Sequence, residues 1–554
     1  MYIPDLAPLG DSLALSALVA ALPLLTLFVT LGLLRWKAHW AGLAALAVAL
    51  GVAVTGYGMP LHLALLSGTQ GAVFGLFPIM WIVLSAIWLY QITVVSGRFE
   101  DLHATFDRIH GDPRVQAIII AFCFGGLLEA LAGFGAPVAI TGVMLMAIGF
   151  SRLRAAAVVL LANTAPVAFG AIAIPIITAG NLTGIPYEEI GAYVGRQTPL
   201  LAAVVPLLLV FVADGRRGVR ETWPVALTVG VVFGVAQFVS SNFVSVELTD
   251  IIASLAGLAA AVLVLRVWQP RGGSAVRDRL AADEEHDRAP GSDALTNGTA
   301  VAVEPRTEAP AGTLTGRRVL LALFPYLLVI AVFSVANLVG PIEKALTASD
   351  LAVAWPGLGD IADSSAYKFQ WLSSPGTLLL LCGVVVAAVY RVPVATAAGE
   401  LVRTVVKLRF ALLTVAAVLA LAYVMNLAGM TVTMGTWIAG AGAAFAFLSP
   451  VLGWLGTAVT GSDTSANALF ATLQQTAAVN TGLDPTLLVA ANTSGGVVGK
   501  MISPQNLTIA ATAVGLVGRE SEILRKVLLW SLGLLVALCL LVGLQSTILS
   551  GMLP

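Results

Sequence analysis

The chain has 554 residues, 58% of them hydrophobic and 11% charged, with a formal net charge of −1. That make-up excludes an ordinary water-soluble globular protein and offers no global field for nucleic acid or an acidic partner. It defines an all-α, polytopic membrane protein surrounded by a lipid bilayer. Cys123, Cys382 and Cys539 all lie in apolar runs, and no spacing suggests a disulfide framework, a metal site or a cofactor.

In chain order, the opening MYIPDLAPLGDS lacks a basic stretch and runs into an apolar segment at 12–33, which reads as a first span and not a cleaved signal. Apolar runs of membrane length follow at 39–57, 61–95, 155–180, 198–213, 224–240 and 250–267, then at 318–339, 374–390, 408–426, 485–510 and 527–549. The run at 61–95 is too long for one simple helix and is expected to break around 67–71. Blocks 115–150 and 444–473 carry Gly, Pro and polar residues at their middles, where a re-entrant hairpin would turn. The expected architecture is about twelve transmembrane helices plus two re-entrant hairpins. Segment 268–316, rich in charged residues, Pro and Ala, is expected to be a disordered cytoplasmic linker between membrane halves 1–267 and 317–554. Lys and Arg gather in loops 35–37, 98–154, 216–220, 266–318, 391–409 and 519–526, which places these in the cytoplasm and both termini outside.

One fourteen-residue phrase occurs twice, as ANTAPVAFGAIAIP at 162–175 and ANTSGGVVGKMISP at 491–504. Asn163 and Asn492, Gly170 and Gly499, and Pro175 and Pro504 share one offset of 329 residues. Each copy follows a small-residue segment, GGLLEALAGFGAP at 125–137 and GTAVTGSDTSANA at 456–468. Helix interiors disfavour Gly, Pro and Asn, so their recurrence at membrane depth predicts unwound backbone lining a cavity. Gly133, Gly135, Gly170, Pro175, Gly499 and Pro504 are the expected hinges. Corresponding interruptions in two halves point to a transporter's binding site, and the loop charges make the two repeats inverted.

Three residues in the apolar parts of the repeat cores carry a formal charge: Glu129, Asp463 and Lys500. A charge at a helix centre costs on the order of 2.5–3.5 kcal/mol in a bilayer, so such residues usually face a cavity and act. In this reading Lys500 meets a substrate carboxylate while Glu129 or Asp463 takes up a proton, because a poorly solvated carboxyl group favours its neutral form. Lys500 is expected within reach of the hairpin tip bearing Asp463, whose carboxylate holds the ammonium until substrate displaces it. The structural alternative is a permanent ion pair with Asp463 or Glu129. Asn163, Thr164, Asn492 and Thr493 offer hydrogen bonds without a buried charge, and beside unwound helix ends they suit a small anion. Their alternative is hydrogen bonding between helices. Ser462, Thr464 and Ser465 form, with Asp463 and Asn467, a polar tip in the second hairpin, whereas the first has almost no hydroxyls.

At these residues the chain resembles the L-lactate permease family of bacterial 2-hydroxymonocarboxylate transporters, over nearly its whole length apart from the linker. The matching phrases are AGFGAPVAI at 132–140, ANTAPVAFGAIAIPI at 162–176, TGSDTSANALF at 460–470, VAANTSGGVVGKMISPQN at 489–506 and AVGLVGRESEILR at 513–525. The resemblance implies a secondary transporter of the bacterial inner membrane that imports L-lactate and related 2-hydroxymonocarboxylates, D-lactate or glycolate, by proton symport. It also implies kinship with a wider ion-transporter superfamily of inverted repeats and re-entrant hairpins, and it leaves a homo-oligomer open. A sodium-coupled carboxylate transporter is the alternative within transport. An intramembrane enzyme using Asp463 or Glu129 is the alternative outside it, and it lacks a nucleophile–base pair: His39, His62, His103, His110 and His286 lie at span edges or in loops.

Overall fold

The computed structural model describes residues 2–34, 36–99, 101, 110–133, 135–270, 272–273, 276, 316–358, 367–517 and 519–554. Helices make up the architecture. The sheet among the described residues is a two-stranded antiparallel ribbon that pairs Leu351–Val353 with Tyr367–Phe369. Ten described helices are long and apolar enough to cross a membrane, or eleven if the bent pair Arg152–Ala162 and Val167–Thr183 is one span. Large apolar side chains such as Leu18, Val235, Val402 and Leu529 stand exposed on their outer faces, a surface suited to lipid and not to water. The protein is therefore a multi-pass membrane protein. Most of the linker expected at 268–316 lies outside the described residues.

One expectation about the spans needs correction. The apolar stretch Leu61–Val95 leaves helical geometry at Phe77 (φ −139°, ψ 121°), just before Pro78, and not at 67–71. Proline disfavours helical backbone in the residue before it. The glycines that suggested a break nearer the start serve packing instead. A Cβ at Gly71 would collide with the Leu419 carbonyl, and one at Gly75 would sit 3.1 Å from the Val415 carbonyl oxygen. They admit the helix Val394–Leu427 at close range, the usual role of small residues between membrane helices. The runs at 198–213 and 224–240 fall on two separate helical stretches: the chain leaves helical geometry at Asp214 (φ −144°, ψ 17°) and Gly215 (φ 65°, ψ −156°) and folds back, so that Gly230 and Gly234 meet the carbonyls of Ala203 and Pro199.

One order of elements occurs twice: hairpin, broken helix, long helix. In the first half the hairpin arms are Pro113–Leu131 and Ala136–Ala147, the broken helix is Arg152–Ala162 followed by Gly170–Thr183, and the long helix is the stretch 198–213, before the break at Asp214. In the second half they are Phe445–Thr460 and Asp463–Thr481, then Pro485–Gly499 and Pro504–Ala513, then Glu520–Gln545. The packing is reciprocal. Gly170–Thr183 lies against Asp463–Thr481 of the other half, and Pro504–Ala513 lies against Ala136–Ala147. The core sits on the broken helices, where all residues 170–180 and 486–499 are buried.

Contacts sort the loops into two groups. Arg114, at the start of the first hairpin, pairs with Asp112, Asp214 and Glu221, and Arg318 pairs with Asp101. Arg152 reaches the Gly515 carbonyl at 3.4 Å. The other group joins both chain ends: Tyr2 bonds to the carbonyls of Tyr57 and Ala428, Tyr193 to Asp484, and Arg196 to Asn242 and to the Met552 carbonyl. The first group carries the Lys- and Arg-rich loops.

Candidate functional site

The two copies of the repeated phrase break differently. In the first, the chain leaves its helix after Ala162, makes a tight turn at Val167–Phe169, and passes through Ala171, Ile172 and Ala173 at φ values of 46°, 59° and 57°. Left-handed backbone costs an L-residue roughly 1–2 kcal/mol, so three such residues in a row persist only because burial holds them. In the second copy the helix runs to Gly499, tightens at Lys500–Ile502 and restarts at Pro504, with Ser503 accepting from the Asn506 N–H at 3.3 Å. The second hairpin restarts in the same way, with Ser462 accepting from the Ser465 N–H at 3.3 Å. These are ordinary N-caps, placed where the helix must begin again.

The first turns of Gly170–Thr183, Asp463–Thr481 and Pro504–Ala513 all line one cavity of about 1230 Å³. Three positive helix ends thus converge on it. It runs from Glu129, Asp463 and Lys500 to Lys37, Phe410 and Glu520, at the side of the Lys- and Arg-rich loops. Ser462, Thr464 and Ser465 line it as well.

Lys500 meets Glu129, one of the two carboxylates named in the structural alternative, and not Asp463 of the hairpin tip. Its Nζ donates to Glu129 Oε1 at 2.5 Å, across the seam between the two halves, with both residues under 10% exposed. Glu129 lies against Gly170 of the first phrase, where a Cβ would stand 3.0 Å from Oε1. Asp463 instead accepts from Thr457 Oγ1 at 3.4 Å, and a Cβ at Gly496 would collide with its carboxylate. The sequence brought Asp463 close to Lys500 by hairpin geometry, and the absence of a side chain at Gly496 lets it sink into its own half. Glu129 Oε2 and Asp463 Oδ2 are both buried without a hydrogen-bond partner.

Asn163 and Thr164 line a narrow crevice together with Lys500 and Asn506, and Asn163 Oδ1 is unpartnered. Asn492 and Thr493 stand elsewhere. Asn492 Nδ2 and Thr493 Oγ1 both donate to Asn467 Oδ1, at 2.9 and 3.1 Å, while Asn467 Nδ2 donates to the Pro175 carbonyl at 3.1 Å. Among the expected hinges, Gly133 and Gly135 have positive φ (45° and 84°) and Gly170 is extended, whereas Gly499 is helical. A Cβ at Gly499 would collide with the Trp454 carbonyl, so its smallness serves packing. Pro175 lies inside its helix and Pro504 starts one.

Sequence reasoning missed several residues. Gln505 and Asn506 line the cavity and follow the second copy directly. Asp250 and Gln237, both 0% exposed, sit beside the first copy: Gln237 Nε2 donates to the Ala165 carbonyl and to Asp250 Oδ1, each at 3.0 Å. Asp250 begins its span after a polar loop, where a charge reads as exposed.

Two broken helices, two hairpins and a buried ion pair beside a one-sided cavity are the build of a membrane transporter. The chain belongs to the L-lactate permease family, whose sequence profile matches residues 16–549. It is 42% identical to the L-lactate permease of Bacillus subtilis, covering 99% of each chain. It is 40% identical to the glycolate permease of Escherichia coli, covering 99% of this chain and 98% of that one. With the L-lactate permease of Escherichia coli the identity is 41%, covering 98% and 97%. The relatives are permeases, and this chain is a transporter and not an enzyme.

Proposed function

We propose that the protein imports L-lactate and related 2-hydroxymonocarboxylates, D-lactate and glycolate among them, by proton symport across a bacterial inner membrane. The observation that carries this reading is the buried Lys500–Glu129 pair at the cavity wall. An anion entering a low-dielectric site needs a positive partner, and a helix end supplies only about half a unit of charge. Lys500 supplies a whole one. An arriving carboxylate competes with Glu129 for the ammonium, and the displaced Glu129 takes up the proton, so that substrate and proton charges cancel. Ser462, Thr464, Ser465 and Asn506, which line the cavity, bond the substrate's hydroxyl and carboxylate in this scheme, and Asn163 and Thr164 share a crevice with Lys500. Asp463 is a second proton acceptor on the same wall. The grouping of the loops supports an inverted pair of repeats, with the cavity facing the cytoplasm.

Reconstituted protein in sodium-free vesicles with an inward proton gradient should accumulate labelled L-lactate and acidify the lumen. Glu129→Gln should still exchange internal for external lactate but no longer accumulate it. Uphill, proton-coupled uptake by Glu129→Gln would refute this coupling scheme, and a strict need for sodium would refute proton symport itself.

A further inference from the structure

A buried polar cluster outside the cavity remains unused by this scheme. Asp250, Gln237 and Ser254 are each no more than 1% exposed. Gln237 spends both amide hydrogens, one on the Ala165 carbonyl and one on Asp250 Oδ1. That fixes its orientation, because the flipped amide would set its oxygen against two acceptors. Three acceptor atoms are then left without partners: Asp250 Oδ2, Gln237 Oε1 and Ser254 Oγ. An ionised Asp250 would be a buried charge held by one hydrogen bond, a costly arrangement. A proton on Oδ2 changes this. A neutral acid facing a primary amide can form a two-bond ring in which the amide N–H donates to one carboxyl oxygen and the acid O–H donates to the amide oxygen. One proton thus satisfies both orphan oxygens.

The cluster lies beside Glu129. Ser254 follows Asp250 by one helical turn, and a Cβ at Gly126, one turn before Glu129, would stand 2.6 Å from Ser254 Oγ. Glu129 and Lys500 are the charged groups that act on Asp250 through space. Asp250 also stands at the start of Thr249–Val267, next to the loop at 241–249 that packs with the outer group, and it is not among the residues lining the cavity.

We propose that Asp250 is a further proton-holding carboxyl of the transport cycle, outside the cavity, and that its proton passes to Glu129. In the empty protein Glu129 is ionised against Lys500 and Asp250 keeps its proton. When the substrate carboxylate takes the ammonium, the Asp250 O–H bond breaks and an O–H bond forms on Glu129 Oε2. The proton that travels with the substrate then restores Asp250, so the loaded site holds two protons on two carboxyls, with lactate balancing Lys500. This deepens the symport reading and rests on it.

The test uses the full-length protein in sodium-free vesicles. Asp250→Asn should retain lactate exchange, lose the proton-driven accumulation so that the lumenal ratio falls to one, and lose an infrared band of a protonated carboxyl group that the wild type shows. Accumulation at the wild-type ratio by Asp250→Asn overturns the proposal. If the wild type itself does not couple to protons, the symport reading fails instead. Should Asp250→Asn not elute as monodisperse protein, Gln237→Leu decides: removing the amide should shift that carboxyl band, and a band unchanged in position, or absent from the wild type, overturns the proposal.

Discussion

The two copies of the Asn-Thr phrase share a pattern and do different work. The first is unwound, with three left-handed residues, an unpartnered Asn163 oxygen and a crevice beside Lys500. The second stays helical through Asn492 and Thr493, which tie themselves to Asn467 and so to the Pro175 carbonyl of the first half. A repeated motif therefore preserves position and not role. One copy offers an unpartnered polar group and the glycine against which Glu129 rests. The other supplies a rigid scaffold that ends in Lys500.

The sharpest way to break this comparison is at the seam. Lys500→Ala should abolish measurable lactate binding by calorimetry and, by leaving Glu129 buried without its partner, destabilise the protein by about 3–5 kcal/mol. Adding Glu129→Gln should return most of that stability without returning transport. Unchanged lactate affinity in Lys500→Ala would make the ammonium a structural partner only. A middle-sized effect should separate the copies themselves. Asn467→Ala removes the shared partner of Asn492, Thr493 and Pro175, and should cost roughly 2–3 kcal/mol in thermal unfolding. Asn163→Ala should cost less than about 1 kcal/mol, because no bond to its oxygen is lost, yet slow transport. Equal melting shifts for the two variants would erase the distinction. The smallest effect concerns strain: Ala173→Gly should relieve left-handed backbone worth roughly 1 kcal/mol, offset in part by glycine's freedom in the unfolded chain, and a fall in melting temperature would argue against strain there.

Membrane class, the two hairpins and the sites of the breaks were legible because Gly, Pro and Asn at membrane depth have few other uses. The same letters misled where glycine serves contact. Gly71 and Gly499 look like breakers in a sequence but are the flat spots on which a neighbouring carbonyl rests. Charge was legible as rarity, which singled out Glu129, Asp463 and Lys500. Their pairing was not, since the partner of Lys500 is 371 residues away in the other half and the choice between two carboxylates turns on the missing side chain of Gly496. Asp250 escaped because one helical turn decides whether a residue at a span's edge is wet or buried.

Glycine contacts in the second half also set what can move. Cβ atoms at Gly453, Gly495 and Gly499 would collide with the carbonyls of Asn492, Pro450 and Trp454, so Phe445–Thr460 and Pro485–Gly499 mesh like the teeth of two racks at successive turns. Sliding one along the other would drive side chains into backbone. The hairpin arm and the helix then travel as one piece, carrying Asp463 and Lys500 at constant separation. A stroke between inward and outward states therefore moves the arm and the helix together, and the Lys500–Glu129 distance gauges any part of it that falls between the halves. Paired spin labels on the arm and the helix should report one distance in both states, and two distances there would contradict a single moving body.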